Sequence, residues 1–478
     1  MDESGNGHLR SVKEEAGSFA HRYRILAAVM LGGIMGPIDG SIVNVVLPTI
    51  SASFGAPLSV VQWVPMTYLL TVSSLLLFYG RLGDIVGYRR VYLAGLGGFV
   101  VSSALCGLAP SALWLIVCRA LQGLAAAMMM AVPFALITAA FPAHERGKAL
   151  GINAISISAG LAIGPSLGGF ITSLLGWRFV FLINIPIGIV GFAFAAKVLP
   201  LLKGDSGQID WLGAGSGFLS LLGLLLFVHR AQTGNLSAEA WLALGAALVG
   251  AAVFLAAEKN AASPLVDLSL FVNRVFSLGL LAALLSFMSQ YIVVFLTPFY
   301  LQRVLCLTAD KVGLVMTASP LAVMMVAALS GSLSDRLGTR TLAFLGAATC
   351  SVAMGCMACL SPGAHPQEVV WRLVLFGLGN GIFHSPNNSA VMGNAPRPRL
   401  GTASGILATT RNVGMVLGIA TAGLVIYAVA PPETLRKGAF GPEEAQSFLH
   451  ALRHAFVVGS LLSAVASVVS LARRAPRS

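Results

Sequence analysis

The sequence predicts an all-α membrane protein, two six-helix bundles with two further helices inserted between them, about fourteen transmembrane helices in all. Three observations predict it. Of 478 residues, 56% are hydrophobic and only 10% are charged, whereas soluble domains are about a quarter charged. Apolar runs of roughly twenty residues, the length that spans a bilayer as a helix, recur from Ile25 to Leu471. One charged loop sequence occurs twice, 251 residues apart.

In chain order the spans read 24–48, 60–80, 90–109, 112–140, 149–173, 178–200, 211–229, 240–257, 275–301, 311–333, 341–361, 369–391, 401–429 and 451–471. Glycine (53 residues) and proline (22) are frequent. Membrane helices accommodate both, because neighbours satisfy freed backbone groups and glycine permits close approach. The first twenty-odd residues are polar, and the first apolar run is too long for a cleavable signal and carries Asp39.

The formal charge of +12 does not indicate nucleic acid, because the charges form short blocks between apolar runs rather than one patch. Read as topology, 20 of the 30 Lys and Arg fall on one side of the spans and 8 on the other, with Arg119 and Arg411 inside spans. That bias places both termini in the cytoplasm. Cys356 and Cys359 lie within or beside an apolar span, where helix packing explains them better than redox chemistry.

The repeat joins Gly80-Arg-Leu-Gly-Asp84-Ile-Val-Gly87-Tyr-Arg89 to Gly331-Ser-Leu-Ser-Asp335-Arg336-Leu-Gly338-Thr-Arg340. Both follow the second helix of a six-helix unit once the pair at 211–257 is set aside. The organisation is then a cytoplasmic segment 1–23, a bundle 24–200, a linker 201–274 with two extra helices, a second bundle 275–471 and a tail 472–478. Parallel halves of this kind enclose a substrate near the bilayer midplane.

Individual residues add chemistry. Asp39, inside a span, is expensive to bury charged and readily neutralised by a proton, so it is the candidate proton site. Arg119 needs a partner there, and Asp39 is the obvious one. Gly160-x-x-x-Gly164-Pro165-x-x-Gly168-Gly169 makes the fifth helix suited to close contact and a kink. Gln122, Met128, Asn380, His384, Asn387 and Arg411 are candidate cavity residues; hydrogen bonding between helices is the competing reading for His384 and Arg411, and apolar packing for Met128.

These segments resemble the fourteen-helix drug:proton antiporters of the major facilitator superfamily, the EmrB/QacA type, over nearly the whole chain. The loop Gly80–Arg90 is similar to the superfamily signature loop, which in the family locks the halves in one state; Ile85 and Tyr88 stand where basic residues are usual. The fifth-helix motif matches the antiporter signature. Asp39-Gly-Ser41-Ile-Val-Asn44 resembles the first-helix motif, with Ser41 for the usual Thr, and Arg119-Ala-Leu-Gln122-Gly123 resembles the fourth-helix motif, whose arginine the family implicates in proton coupling. Trp177-Arg-Phe-Val-Phe-Leu-Ile-Asn184-Ile-Pro186 and Gln62-Trp63-Val64…Tyr68 also fit this subgroup; Trp63 and Trp177 read as interfacial anchors.

The resemblance implies a major facilitator fold and proton-coupled efflux of hydrophobic, often cationic, small molecules, with the export of one metabolite or lipid, or nutrient symport, as alternatives. The implied partners are the substrate, protons and membrane lipid, in a monomer of the inner membrane; a periplasmic adaptor is left open. No enzyme activity, cofactor or metal is expected, and the absence of a G-x-x-x-x-G-K-[ST] loop excludes ATP hydrolysis by the chain itself.

Overall fold

The computed structural model describes residues 4–142, 145–201, 210–232, 237–260, 266–396, 399–431 and 440–473, the side chains of 4–20 and of Asp335 excepted. All regular structure among them is helical. The first six long helices are α1 Ser4–Phe54, α2 Leu58–Val86, α3 Tyr88–Gly107, α4 Ala112–Ala140, α5 Arg146–Leu175 and α6 Phe179–Val198. Then come α7 Trp211–Gln232 and α8 Ala238–Asn260. The last six are α9 Arg274–Val304, α10 Ala309–Leu337, α11 Thr339–Ala358, α12 Pro366–Gly393, α13 Leu400–Val429 and α14 Pro442–Leu471. Thirteen helices are long and apolar enough to cross a membrane. The exception is α12, whose 28 residues include Asn380, His384, Asn387 and Asn388, which lower its hydropathy.

Packing repeats between the two sets of six. In the first, α1 packs on α5 and α6, α4 on α2 and α3, and α3 on α6; in the second, α9 packs on α13 and α14, α12 on α10 and α11, and α11 on α14. Two seams join the halves, α2 with α13 and α5 with α10. Both signature loops end their helix at a glycine with left-handed backbone, Gly87 (φ 94°) and Gly338 (φ 83°), a conformation that a side chain resists.

Small residues set the closest contacts. Gly160, Gly164 and Gly168 recur every four residues, so they share one face of α5, and that face lies on α1 at Ile34, Ile38, Ser41 and Ile42. The same contact recurs on the other side. Gly414 and Gly418 of α13 lie on Leu284, Met288 and Tyr291 of α9, each 250 residues beyond Ile34, Ile38 and Ser41.

The pair α7 and α8 stands apart from both sets. α8 packs chiefly on α7, and α7 packs on α2 and α13, so it covers one of the two seams. Trp211 meets Phe78 and His229 meets Trp63, with ring centroids 5.0 and 5.6 Å apart. Gln232 accepts from Gln62 Nε2 (2.6 Å) and donates to the Ala420 carbonyl (2.9 Å). One side chain thus bridges α2 and α13.

Candidate functional site

Asp39 is fully buried in α1, and Arg119 of α4 is 1% exposed. The guanidinium donates to Asp39 Oδ2 and to Gln122 Oε1 (2.6 Å). Gln122 returns a hydrogen bond to Asp39 Oδ1 (3.0 Å) and another to Ser103 Oγ (2.9 Å). Asn184 of α6 also donates to Asp39 Oδ1 (3.1 Å). The remaining valences of Arg119 are used by the Val64 carbonyl (3.3 Å) and by the face of Tyr68, 4.2 Å from the ring centroid. The sequence pairing of Asp39 with Arg119 is therefore found, inside a set drawn from five helices.

An ion pair removed from water holds only when its other lone pairs and protons are satisfied. Here one carboxylate receives three side chains, and Arg119 finds a carbonyl and an aromatic face besides. Protonation of Asp39 would remove the charge on which Arg119, Gln122 and Asn184 converge.

Several other sequence expectations are redistributed. Gln122 belongs to this acid site rather than to a cavity wall. Met128 packs with Met129 against Gly95 of α3, within its own half, because it lies on the α4 face that meets α3. The close contact expected of the fifth-helix motif is made by Gly164 with α1, at Ser41 and Ile38. Pro165 and Gly169 lie on the opposite side of α5 and touch α10, where a Cβ on Gly169 would stand 3.1 Å from Asp310 Cα and one on Gly313 3.2 Å from Gly169 Cα. Trp63 and Trp177 are buried, Trp63 against His229 and Trp177 between Phe54 and Phe181, so neither is an interfacial anchor.

The signature loop makes its contacts within its own half. Asp84 accepts from Tyr88 Oη (2.5 Å) and from Arg81 (3.5 Å), and Arg89 donates to the Ala196 carbonyl (2.5 Å). Tyr88, where the family has a basic residue, thus closes directly on the aspartate. Gly80 has open space around it, while Gly331 approaches Ser385 of α12. Arg336 and Arg340 are exposed, and the side chain of Asp335 lies outside the described residues.

Among the described residues, every hydrogen bond between the halves lies toward the opposite end. Thr49 donates to Gln302 (3.2 Å) and Arg303 to Ser51 (2.6 Å). The Ser59 amide donates to Tyr427 (2.8 Å), and Ser166 meets Thr317 (2.6 Å).

The second half gathers only part of its expected cluster. His384 stacks on Phe287 of α9, centroids 4.5 Å apart at 22°. Asn387 instead accepts from Arg473 (2.5 Å) at the end of α14, and burial among apolar groups lowers the Arg473 guanidinium to about 10. Asn380 donates to the Phe376 carbonyl of its own helix. Arg411 has neither ion pair nor hydrogen bond among the described residues, and its Nε is buried. Sequence reasoning assigned no role to Asn184, Ser103, Tyr68, Tyr291 or Gln232; a buried polar residue in an apolar span was the available signal.

Residues 29–419 match the Major Facilitator Superfamily. The chain belongs to that superfamily. It is a multi-pass membrane transporter and not an enzyme. It is 34% identical over 399 residues to "Riboflavin transporter RibZ" of Clostridioides difficile (strain 630), covering 84% of this chain and 87% of the relative. It is equally 34% identical over 408 residues to "Multidrug resistance protein Stp" of Mycobacterium tuberculosis (strain CDC 1551 / Oshkosh), covering 84% and 75%. The fold is shared with a crystal structure of a bacterial homolog of the human lysosomal transporter Spinster, at a TM-score of 0.66 and 18% identity, covering 94% of this chain and 96% of that one.

Proposed function

We propose that the chain is a proton-coupled exporter of hydrophobic small molecules that works by alternating access as a monomer. On this reading it has fourteen transmembrane helices, both termini in the cytoplasm, and α7 and α8 as an insertion between two six-helix bundles. The observation that carries the coupling is Asp39, a fully buried carboxylate held by Arg119, Gln122 and Asn184. A carboxylate in that position is discharged by one proton at less cost than it is carried charged through a conformational change. Arg119 keeps its charge, so proton and arginine compete for the same oxygens.

With cytoplasmic termini, the end where the halves hydrogen-bond faces outward, and the unengaged signature loop faces inward. This corresponds to a state closed outside and open inside, in which substrate enters from the cytoplasm or the inner leaflet. The similarity to Stp supports a multidrug exporter. The similarity to RibZ favours a second reading, a transporter dedicated to one planar metabolite.

Purified protein in proteoliposomes with an imposed pH gradient, given a panel of hydrophobic dyes and riboflavin, tests both. Gradient-driven movement of several unrelated compounds supports the first reading, and movement of riboflavin alone the second. No dependence on the pH gradient for any compound moved refutes proton coupling. Reporter fusions at Gly7 and Arg477 should both read cytoplasmic.

A further inference from the structure

Arg119 and Arg411 both sit within spans, and among the described residues only Arg119 is neutralised. Arg119 has used its fork on Asp39, Gln122 and Val64. Arg411 lies in the middle of α13, about 16 Å along the axis from the start of the helix at Leu400. Among the described residues it has no carboxylate and no hydrogen-bond acceptor, and its Nε is cut off from solvent. Its charge acts on Tyr291 of α9 and His384 of α12. The acids of the second half whose side chains are described stand elsewhere: Asp310 begins α10, Glu368 begins α12 and pairs with Arg372, and Glu443 and Glu444 begin α14.

A guanidinium inside a membrane protein without a counter-charge is costly, and such residues mark substrate or ion pathways. Its planar fork is matched to carboxylate oxygens. Polar atoms on the two helices that carry Tyr291 and His384 are also unsatisfied: His384 Nε2 of α12 and Gln290 Oε1 of α9 are buried without a partner among the described residues. Beside them the His384 ring is stacked on Phe287, a flat surface suited to an aromatic ring.

We propose that Arg411 is the anion-binding residue of the substrate site, and that the site takes planar aromatic molecules bearing a carboxylate or a similar anionic group. This rests on the transport reading above and names its substrate class. It replaces the cationic preference implied by the family resemblance, since the one acid placed centrally among the described residues, Asp39, is closed by three donors. Tyr291 lies near both Arg411 and Tyr68, and the face of Tyr68 carries Arg119.

The test uses full-length protein in lipid nanodiscs and equilibrium dialysis with 1-naphthoate and 1-naphthamide, planar molecules of nearly equal shape that differ by one charge. Binding to empty nanodiscs is subtracted. Wild type should bind naphthoate about tenfold or more tighter than naphthamide, the advantage of a charge-assisted hydrogen bond. Arg411→Gln should reduce naphthoate to the affinity of naphthamide and leave naphthamide unchanged, which also shows that the site is intact. Arg411→Lys should keep part of the preference, having the charge without the fork. Equal affinities in wild type, binding of neither probe, or an unchanged preference in Arg411→Gln overturns the proposal. Should Arg411→Gln not fold, the wild-type comparison and Arg411→Lys still decide. If a pH gradient moves hydrophobic compounds but the two probes bind alike, only the anion site falls. If the preference depends on Arg411 but no pH gradient moves any compound, the coupling falls and the site stands.

Discussion

Asp39 in α1 and Ser289 in α9 occupy the same place in the repeated architecture, 250 residues apart, one position beyond Ile38 and Met288, which both lie under a glycine of the partner helix. Around Asp39 the first half assembles an arginine, a glutamine and an asparagine. Around Ser289 the described residues of the second half place only Ser463 (2.6 Å) and the Met354 sulfur (2.7 Å). The helix pairs are the same in both halves, so this packing does not require the ionic set. A neutral pair of serines holds the equivalent helices together without the desolvation cost of two charges. The difference teaches that the first half carries a charge for a reason other than packing, and proton binding is the reading adopted here. The second half inverts the situation, with a central cation and, among the described residues, no acid paired with it.

The largest effect should come from removing the asymmetry. Asp39→Asn should bring pH-gradient-driven accumulation in proteoliposomes down to that of empty vesicles, while exchange of substrate down its own gradient persists. Ser289→Ala, its counterpart, should keep most of the gradient-driven transport. If Asp39→Asn concentrates substrate as well as the parent, the proton site lies elsewhere, and His384 is the next residue to change.

Next come the glycines, where the halves should behave alike. Gly164→Leu and Gly418→Leu each force a side chain into the facing helix, against Ser41 and Ile38 or against Met288 and Tyr291. Each should cost about 1–3 kcal/mol or more of packing energy, lower the thermal midpoint and abolish transport while the protein still inserts. Gly151→Ala, which meets open space, should leave the midpoint unchanged. Opposite behaviour of the two leucine variants would break the equivalence of the halves.

The two seams offer a smaller contrast, because α7 covers α2 and α13 but not α5 and α10. Gln232→Ala removes both bridging hydrogen bonds, about 1 kcal/mol each. Spin labels at Ser53 and Thr308, flanking the closed end, should then report a several-fold larger open population. An unaltered distance distribution would leave α7 as a passive cover.

The smallest effect lies outside the bundle. Asp267 is held below the ordinary carboxylate value by hydrogen bonding to Ser269, with Arg399 adding to it. Its contribution is therefore full above its unfolded value, near 3.8, and is lost as pH falls through the lower folded value. The pair is partly exposed, so Arg399→Ala should change stability by less than about 1 kcal/mol at pH 7, and by less at pH 2 than at pH 7. A thermal-shift series over that pH range checks it.

The sequence by itself determined the helices, the repeat and the central acid–base pair. Twenty-residue apolar runs have few alternatives to a spanning helix, glycines that end helices announce their turns, and a buried Asp with a buried Arg in neighbouring spans has few other ways to be neutralised. The tertiary structure decided which face each small residue presents and which polar groups share a site. Gly164 and Gly169 stand five residues apart in one motif, yet one packs on α1 and the other on α10, because the helical turn carries them to opposite sides. Asn184 reaches Asp39 from 145 residues away. Arg411 is indistinguishable in sequence from any paired membrane arginine. Its lack of a partner among the described residues became visible only in the folded chain, since whether a charge is compensated depends on distances between helices that no local pattern encodes.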